Sequence, residues 1–279
     1  MIRKMALARR ETIVQKRATS RKFVHSAEML ASQRKEHLLK ILADTGRVIA
    51  KAVSKELGLS EDTIRRDLRE LASEGRLQRV HGGALPASPA VVDFAGRQQL
   101  ASDAKIDIGR AAAKMVRPGQ IVILDGGTTT LQLAKHLPLD LKATVVTHSP
   151  TIAVALAEHP SIEVVLIGGR LFKHSVVAVG SAAAEAIARI RADVYFMGVT
   201  GIHPQAGLST GDLEESHIKR ALSASAAETY VLVSAEKLNA ASAYVIAGLT
   251  EVDGIIVERG IPDAALDVYR SAGLTVLRA

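Results

Sequence analysis

Residues 60–83 read Ser60-Glu61-Asp62-Thr63-Ile64-Arg65-Arg66-Asp67-Leu68-Arg69-Glu70-Leu71-Ala72-Ser73-Glu74-Gly75-Arg76-Leu77-Gln78-Arg79-Val80-His81-Gly82-Gly83. Ser60 is a good helix N-cap, and Glu61 and Asp62 set negative charge against the positive end of the helix that follows. Ile64, Leu68 and Leu71 recur at i, i+4 and i+7, the spacing of one buried stripe. Thr63, Arg65, Arg66 and Arg69 lie off that stripe, free to face a partner. Upstream, residues 50–57 predict a short amphipathic helix, with Gly58 as the turn between the two. Helix, glycine turn, then a helix with Thr and Arg on its outer face is the plan of a helix-turn-helix that reads a DNA major groove. A solvated basic helix in an ordinary bundle has the same local pattern.

Three neighbouring features favour the DNA-binding reading. Gly75 ends the helix, Leu77 to Val80 predicts a strand, and His81-Gly82-Gly83 supplies turn chemistry, which together predict a wing. Val48-Ile49 is the expected partner strand. A leading helix over Ser32 to Ala43 offers Leu38, Leu39, Ile41 and Leu42 to a small three-helix core. Charge is the third feature: residues 1–85 hold 19 Lys plus Arg against 10 Asp plus Glu, and the remainder hold 17 against 19. The basic excess therefore sits in the N-terminal third, as a phosphate-binding module requires. The candidate DNA contacts are Ser60, Thr63, Arg65, Arg66, Arg69, Arg79 and His81.

Composition narrows the remaining classes. A chain of 279 residues holds more than one typical domain and fewer than three. It has no cysteine, which excludes disulfides and thiolate metal sites. The nine histidines show no paired ligand spacing, so no metal is expected, and no cofactor. No apolar run approaches the roughly 18 residues of a membrane span, so no membrane contact and a cytoplasmic location are expected. Aromatics make up only 3%, too few for stacking on single strands, which leaves duplex DNA as the expected nucleic-acid partner.

The first 30 residues carry Arg3, Lys4, Arg9, Arg10, Lys16, Arg17, Arg21 and Lys22 against Glu11 and Glu28, with little apolar pattern. Two readings stand: a disordered basic arm that adds nonspecific DNA affinity, or an extension without consequence ahead of a start at Met29. The expected organisation is a basic extension over 1–31, a winged helix-turn-helix over 32–85, a linker over 86–102 marked by Pro86 and Pro89, and a second domain over 103–279.

That second domain alternates. Helical periodicity over 104–115 is followed by a β-branched strand at Ile121 to Leu124. Further strands are expected near 143–146, 164–167, 194–197, 230–233 and 254–257, with helices between them. Continuous apolar strands alternating with helices predict an α/β fold built on a mostly parallel sheet. Ligands in such sheets bind at the carboxyl ends of strands. Here those ends are Asp125-Gly126-Gly127-Thr128-Thr129-Thr130, Thr147-His148-Ser149 and Gly168-Gly169-Arg170. The first opens a helix, so its N–H groups and hydroxyls can donate to an anion. It lacks the Gly-Lys-Ser/Thr of a Walker loop. A Gly-Gly turn with a Thr near a helix start is also a common structural device.

Thr63-Ile64-Arg65-Arg66-Asp67-Leu68, then Leu71, Gly75 and Arg79-Val80-His81-Gly82-Gly83-Ala84, resembles the DNA-binding signature of the DeoR family of bacterial transcription regulators. Leu124 to Thr130, Thr144-Val145-Val146-Thr147, Gly168 to Leu171 and Lys219-Arg220-Ala221 follow in family order, so the resemblance covers roughly residues 34–258. It implies a winged helix-turn-helix joined to an effector domain related to sugar-phosphate isomerases and CoA transferases. The implied function is a repressor of carbohydrate catabolism, controlled by a phosphorylated sugar or polyol and acting as a homo-oligomer, dimer or tetramer, on a double-stranded operator. The implied effector residues are Asp125, Gly126, Gly127, Thr128, Thr129, Thr130, His148, Ser149, Gly169, Lys219 and Lys237. The chain departs from the family in two places. Ser234-Ala235-Glu236-Lys237 stands where many members have Asp-His-Ser-Lys, and Gly198-Val199-Thr200-Gly201 where Ala-Asp-Gly is usual. Both departures bear on the sugar end of specificity. The expectation is a non-enzyme; the alternative is residual isomerase- or transferase-like catalysis, for which no second crevice carboxylate beside Asp125 is evident.

Overall fold

The computed structural model describes residues 30–89, 92–100 and 102–279. The basic extension lies, up to residue 29, outside them. The chain divides into two compact units, with the boundary between Ala87 and Ser88.

The first unit is built from α1 (Ala31–Thr45), β1 (Val48–Ile49), α2 (Ala50–Leu57), α3 (Glu61–Ser73), β2 (Leu77–Val80) and β3 (Gly83–Pro86). Ser60 caps α3, its hydroxyl accepting from the Thr63 N–H at 3.2 Å. Ile64, Leu68 and Leu71 pack with Leu38, Leu42, Val53 and Leu57 in one apolar core. Burial of each such side chain stabilises by about 1.5–3 kcal/mol, before conformational entropy is counted. The wing differs from expectation in its pairing. Val48-Ile49 does not pair with β2; the order is β1-β3-β2. His81-Gly82 makes a tight turn, Gly83 already pairs with Val80, and the returning strand fills the place beside Val48.

In the second unit, the stretch expected as a linker carries structure. After β3 has used Pro86, Asp93 caps helix α4 (Phe94–Gln99) by accepting from the Gly96 N–H at 2.9 Å. Then α5 (Ser102–Ala113) leads into β4 (Ile121–Leu124), α6 (Thr128–Lys135), β5 (Ala143–Thr147), α7 (Pro150–Leu156) and β6 (Ile162–Leu166). A hairpin, β7 (Arg170–Phe172) and β8 (Val177–Val179), precedes α8 (Ser181–Ile187) and β9 (Ala192–Gly198). Two short strands follow β9, β10 (Gly201–His203) and β11 (Gly207–Thr210). The rest is α9 (Leu213–Ala224), β12 (Ala226–Val233), a 3-10 turn at Ala235–Lys237, β13 (Tyr244–Ala247), β14 (Gly254–Val257), α10 (Asp263–Ser271) and β15 (Thr275–Arg278).

Seven strands form one parallel sheet in the order β15-β14-β12-β9-β4-β5-β6. Apolar clusters cover both faces, one with Ile123, Tyr195 and Val231, the other with Val122, Phe196 and Leu232. This is why the strands read as unbroken apolar runs. The chain moves outward from β4 through β5 to β6, then crosses to β9 on the other side of β4. The topological switch point therefore lies between β4 and β9, where such sheets open a ligand crevice. No helix among the described residues is long and apolar enough to cross a membrane.

Candidate functional site

Two surfaces carry the chemistry, one in each unit. On α3, Ile64, Asp67, Leu68 and Leu71 are buried, which turns Arg65, Arg66 and Arg69 outward. Arg65 is steadied by Glu61 one turn earlier, at 2.7 Å. Arg79 and His81 are exposed on the wing, and with Arg65 and Gly82 they line one shallow hollow between helix and wing. Ser60 and Thr63 are occupied with the helix start, their hydroxyls 2.9 Å apart. A residue whose role the sequence reading missed is Asp67. Its carboxylate takes a two-pronged bond from Arg34 of α1, one arm at 2.9 Å, and both side chains are buried. An acidic residue three positions after Ile64, on the apolar stripe, was the available signal.

In the second unit, the end of β4 and the end of β9 are joined through Asp125. Its Oδ1 accepts from the Gly126 N–H at 2.8 Å and faces His148 Nε2 at 2.9 Å. Its Oδ2 accepts from the Gly198 N–H at 2.7 Å and from the Lys219 ammonium at 2.5 Å. Burial alone would raise the Asp125 pKa, but Lys219 and His148 hold it well below the usual carboxylate range. His148 Nδ1 faces the Ala178 carbonyl at 2.9 Å, so both ring nitrogens meet an acceptor. Tyr195 is fully buried close by, and its desolvation together with the Asp125 charge pushes the phenol pKa well up.

Above this base lies a pocket. One wall is the Gly126-to-Thr130 turn, which opens α6. Gly127 caps the helix with φ +143°, a conformation that L side chains rarely adopt. The first N–H groups of a helix have no partner within it and point outward. Thr130 Oγ1 donates to the Gly127 carbonyl, whereas the buried Thr129 hydroxyl has no hydrogen-bond partner among the described residues. Facing the turn are Arg97, Lys105 and Lys237. Arg97 donates to the Val92 carbonyl at 2.9 Å and to Ser175 Oγ at 3.3 Å. Lys105 donates to the Arg97 and Leu100 carbonyls at 2.5 Å each. Lys237 is buried, and its ammonium makes no hydrogen bond or ion pair to any described residue. Burial depresses its pKa to about 8; Glu236 opposes the shift, while Lys105, Arg97 and Lys219 add to it. Burial also lowers Arg97 and Lys105 from their ordinary values.

The lining also includes Lys219, Glu215, Thr210 and Thr200. Glu215 accepts from Thr210 Oγ1 at 2.8 Å and lies 3.8 Å from Lys219. It is a second carboxylate at the crevice, contrary to the sequence expectation. Of the other residues expected there, Gly126, Gly127, Thr128, Thr129, Thr130, Lys219 and Lys237 line the pocket. His148, Ser149 and Gly169 do not, because the β7–β8 hairpin folds over their strand ends. Ser149 bonds the Val176 carbonyl, and a Cβ at Gly169 would sit 2.9 Å from the Val179 carbonyl oxygen. Asp125 lies beneath the pocket rather than in it. Arg97 was missed because its segment read as a linker, and Lys105 although it lies within the helix expected over 104–115. Lys105 did leave a signal, standing three residues before Ile108 on the buried face of α5. No group of three or more His, Cys, Asp or Glu among the described residues is placed to hold a metal.

Comparisons with known proteins agree with this division. Residues 34–89 match the DeoR-like helix-turn-helix domain and residues 100–259 the DeoR C terminal sensor domain. The chain is 32% identical to the HTH-type transcriptional regulator GlpR of Haloferax volcanii, over 89% of its own length and 98% of that protein's. It is also 32% identical to the HTH-type transcriptional repressor GlcR of Bacillus subtilis, over 89% of this chain and 96% of that one. Among solved structures, ribose 5-phosphate isomerase A of Methanocaldococcus jannaschii is a distant likeness, with a TM-score of 0.37 and 18% identity over 49% of this chain and 54% of its own. An N-terminal helix-turn-helix and a C-terminal sensor domain on a parallel α/β sheet, matched along nearly the whole of both relatives, place this chain in the DeoR family of DNA-binding transcriptional regulators.

Proposed function

We propose that the chain represses a carbohydrate-catabolism operon in the cytoplasm and that a phosphorylated sugar or polyol controls its hold on the operator. The carrying observation is the convergence of Arg97, Lys105 and Lys237 on the open end of α6, where the Thr129 hydroxyl has no partner among the described residues. Helix dipole, unpaired N–H groups and three cations favour a dianion. The relatives' names, a transcriptional regulator and a transcriptional repressor, support the outcome at DNA. Arg65, Arg66, Arg69, Arg79 and His81 are the proposed DNA contacts. One helix-turn-helix covers too little DNA for selective binding, so a homo-oligomer, dimer or tetramer, on paired half-sites is part of the reading.

Calorimetry with inorganic phosphate and with matched sugars and sugar phosphates tests the pocket. Phosphate and the phosphorylated sugars should bind, and unphosphorylated sugars should bind at least tenfold more weakly. Equal affinities within a matched pair reject the phosphate assignment. A second reading, isomerase- or transferase-like turnover, has Glu215 in its favour, a pocket carboxylate with one short hydrogen bond. Incubating each bound ligand with the protein and searching for product separates the two.

A further inference from the structure

The charges that line the pocket say what the rest of the ligand carries. Arg97, Lys105, Lys219 and Lys237 line it, against the single lining carboxylate Glu215, with Asp125 directly beneath Lys219. Glu236 also acts on Lys105 and Lys237, so four cations against three anions leave a surplus of one, which one phosphate dianion already exceeds. Lys219 is already committed, bonded to Asp125 at 2.5 Å and 3.8 Å from Glu215. A second anionic group on the ligand would thus meet Glu215 with no surplus of positive charge left to receive it. Glu215 uses one oxygen on Thr210, and among the described residues its remaining acceptor sites meet only the distant ammonium. A buried carboxylate with spare acceptor sites gains from hydroxyl donors and is penalised by another carboxylate.

Resting on the phosphate reading above, we infer that Glu215 is a specificity-determining residue. It selects a monophosphate with a neutral, hydroxylated body and rejects sugar acid phosphates and bisphosphates. Hydroxyls of the ligand donate to Glu215, while Thr200, also in the lining, offers a further polar contact.

The test uses the full chain and two matched pairs, each differing only in a terminal alcohol or carboxylate: erythritol 4-phosphate with 4-phosphoerythronate, and sorbitol 6-phosphate with 6-phosphogluconate. Inorganic phosphate is the control. In calorimetry, at least one polyol phosphate should bind more tightly than inorganic phosphate, and its acid partner at least tenfold more weakly than the polyol. In Glu215→Gln, whose amide oxygen can still accept from Thr210, that ratio should fall to about threefold or less. The ratio is the readout, so a general loss of affinity does not imitate the result. Three outcomes overturn the inference: an acid phosphate bound as tightly as its polyol, a ratio unchanged in Glu215→Gln, or no polyol phosphate surpassing inorganic phosphate. If inorganic phosphate and all four compounds fail to bind, the phosphate reading itself falls, and this inference with it.

Discussion

Asp125 takes contacts from Gly126, His148, Gly198 and Lys219 while wholly buried. Such a carboxylate is a structural anchor, and its removal strands Lys219 in a buried place. Asp125→Ala should cost about 3–5 kcal/mol. The double variant Asp125→Ala/Lys219→Met should lose less than the sum of the two single losses, because no unpaired charge remains. Urea unfolding of the four proteins measures this, and strictly additive losses would reject the pairing. With a folded pKa below the ordinary 3.8, Asp125 contributes stability that is present above that value and is lost as pH falls toward the folded pKa. Lys237 works in the opposite sense. Its ammonium, depressed from 10.5 to about 8, is a cost to the fold that is complete below pH 8 and relieved as pH rises to 10.5. A bound phosphate would restore its proton, so affinity should fall as pH rises through 8, on the order of tenfold between pH 7 and 9. Lys237→Met should bind phosphate weakly with a flat profile over that range. A wild-type profile as flat as the variant's would remove Lys237 from the phosphate.

At the scale of elements, α3 has a structural part and, in the proposed reading, a DNA-reading part, and they fall on different residues. Arg34 and Asp67 tie α1 to α3 inside the core, so Asp67→Ala should destabilise the first unit by about 3–5 kcal/mol. Arg65 and Arg66 face out, and either change to Ala should leave the unfolding midpoint nearly unmoved. Each should still cost about 1–3 kcal/mol of operator affinity if the side chain reads a base. A salt-matched gel shift checks this, and binding like wild type by both variants would mean that α3 is not the reader. Legibility follows the same division. The helix-turn-helix was readable because its caps, stripe and glycine turns are local, and the parallel strands because burial on both faces leaves apolar runs. The wing's third strand was not, since Gly83 to Pro86 resembles a turn and is recruited by Val48-Ile49, over 30 residues away in sequence. β10 and β11 are three and four residues long and stabilised by β13, so no periodicity announces them. The anion end of the pocket was half legible: the Gly-Thr turn follows its strand directly, but Arg97 arrives from a six-residue helix held by a cap. Nothing in the residues around Gly169 signals that the β7–β8 hairpin would cover it.

For the whole molecule, the two units divide recognition between them. The basic excess lies within residues 1–85 and the sensor pocket within residues 97–237. A ligand in the second unit alters DNA binding only if it has unequal affinity for two arrangements of the assembly, typically with a coupling of about 1–3 kcal/mol. Arg97→Ala and Lys237→Met act on the pocket without touching the exposed arginines of α3. These variants should bind the operator like wild type yet show no response to a phosphorylated sugar that shifts the wild-type protein, behaving as constitutive repressors. Linkage demands the reverse effect as well: operator DNA should change the wild-type protein's affinity for that ligand by the same factor and in the same sense, weakening it if the ligand releases DNA. Calorimetry of the ligand with and without saturating operator, beside gel shifts with and without saturating ligand, measures both sides of the cycle. Unequal factors would mean that the ligand acts elsewhere than through this equilibrium, and a variant that loses operator affinity together with its ligand response would place the pocket residues in the fold rather than in the switch.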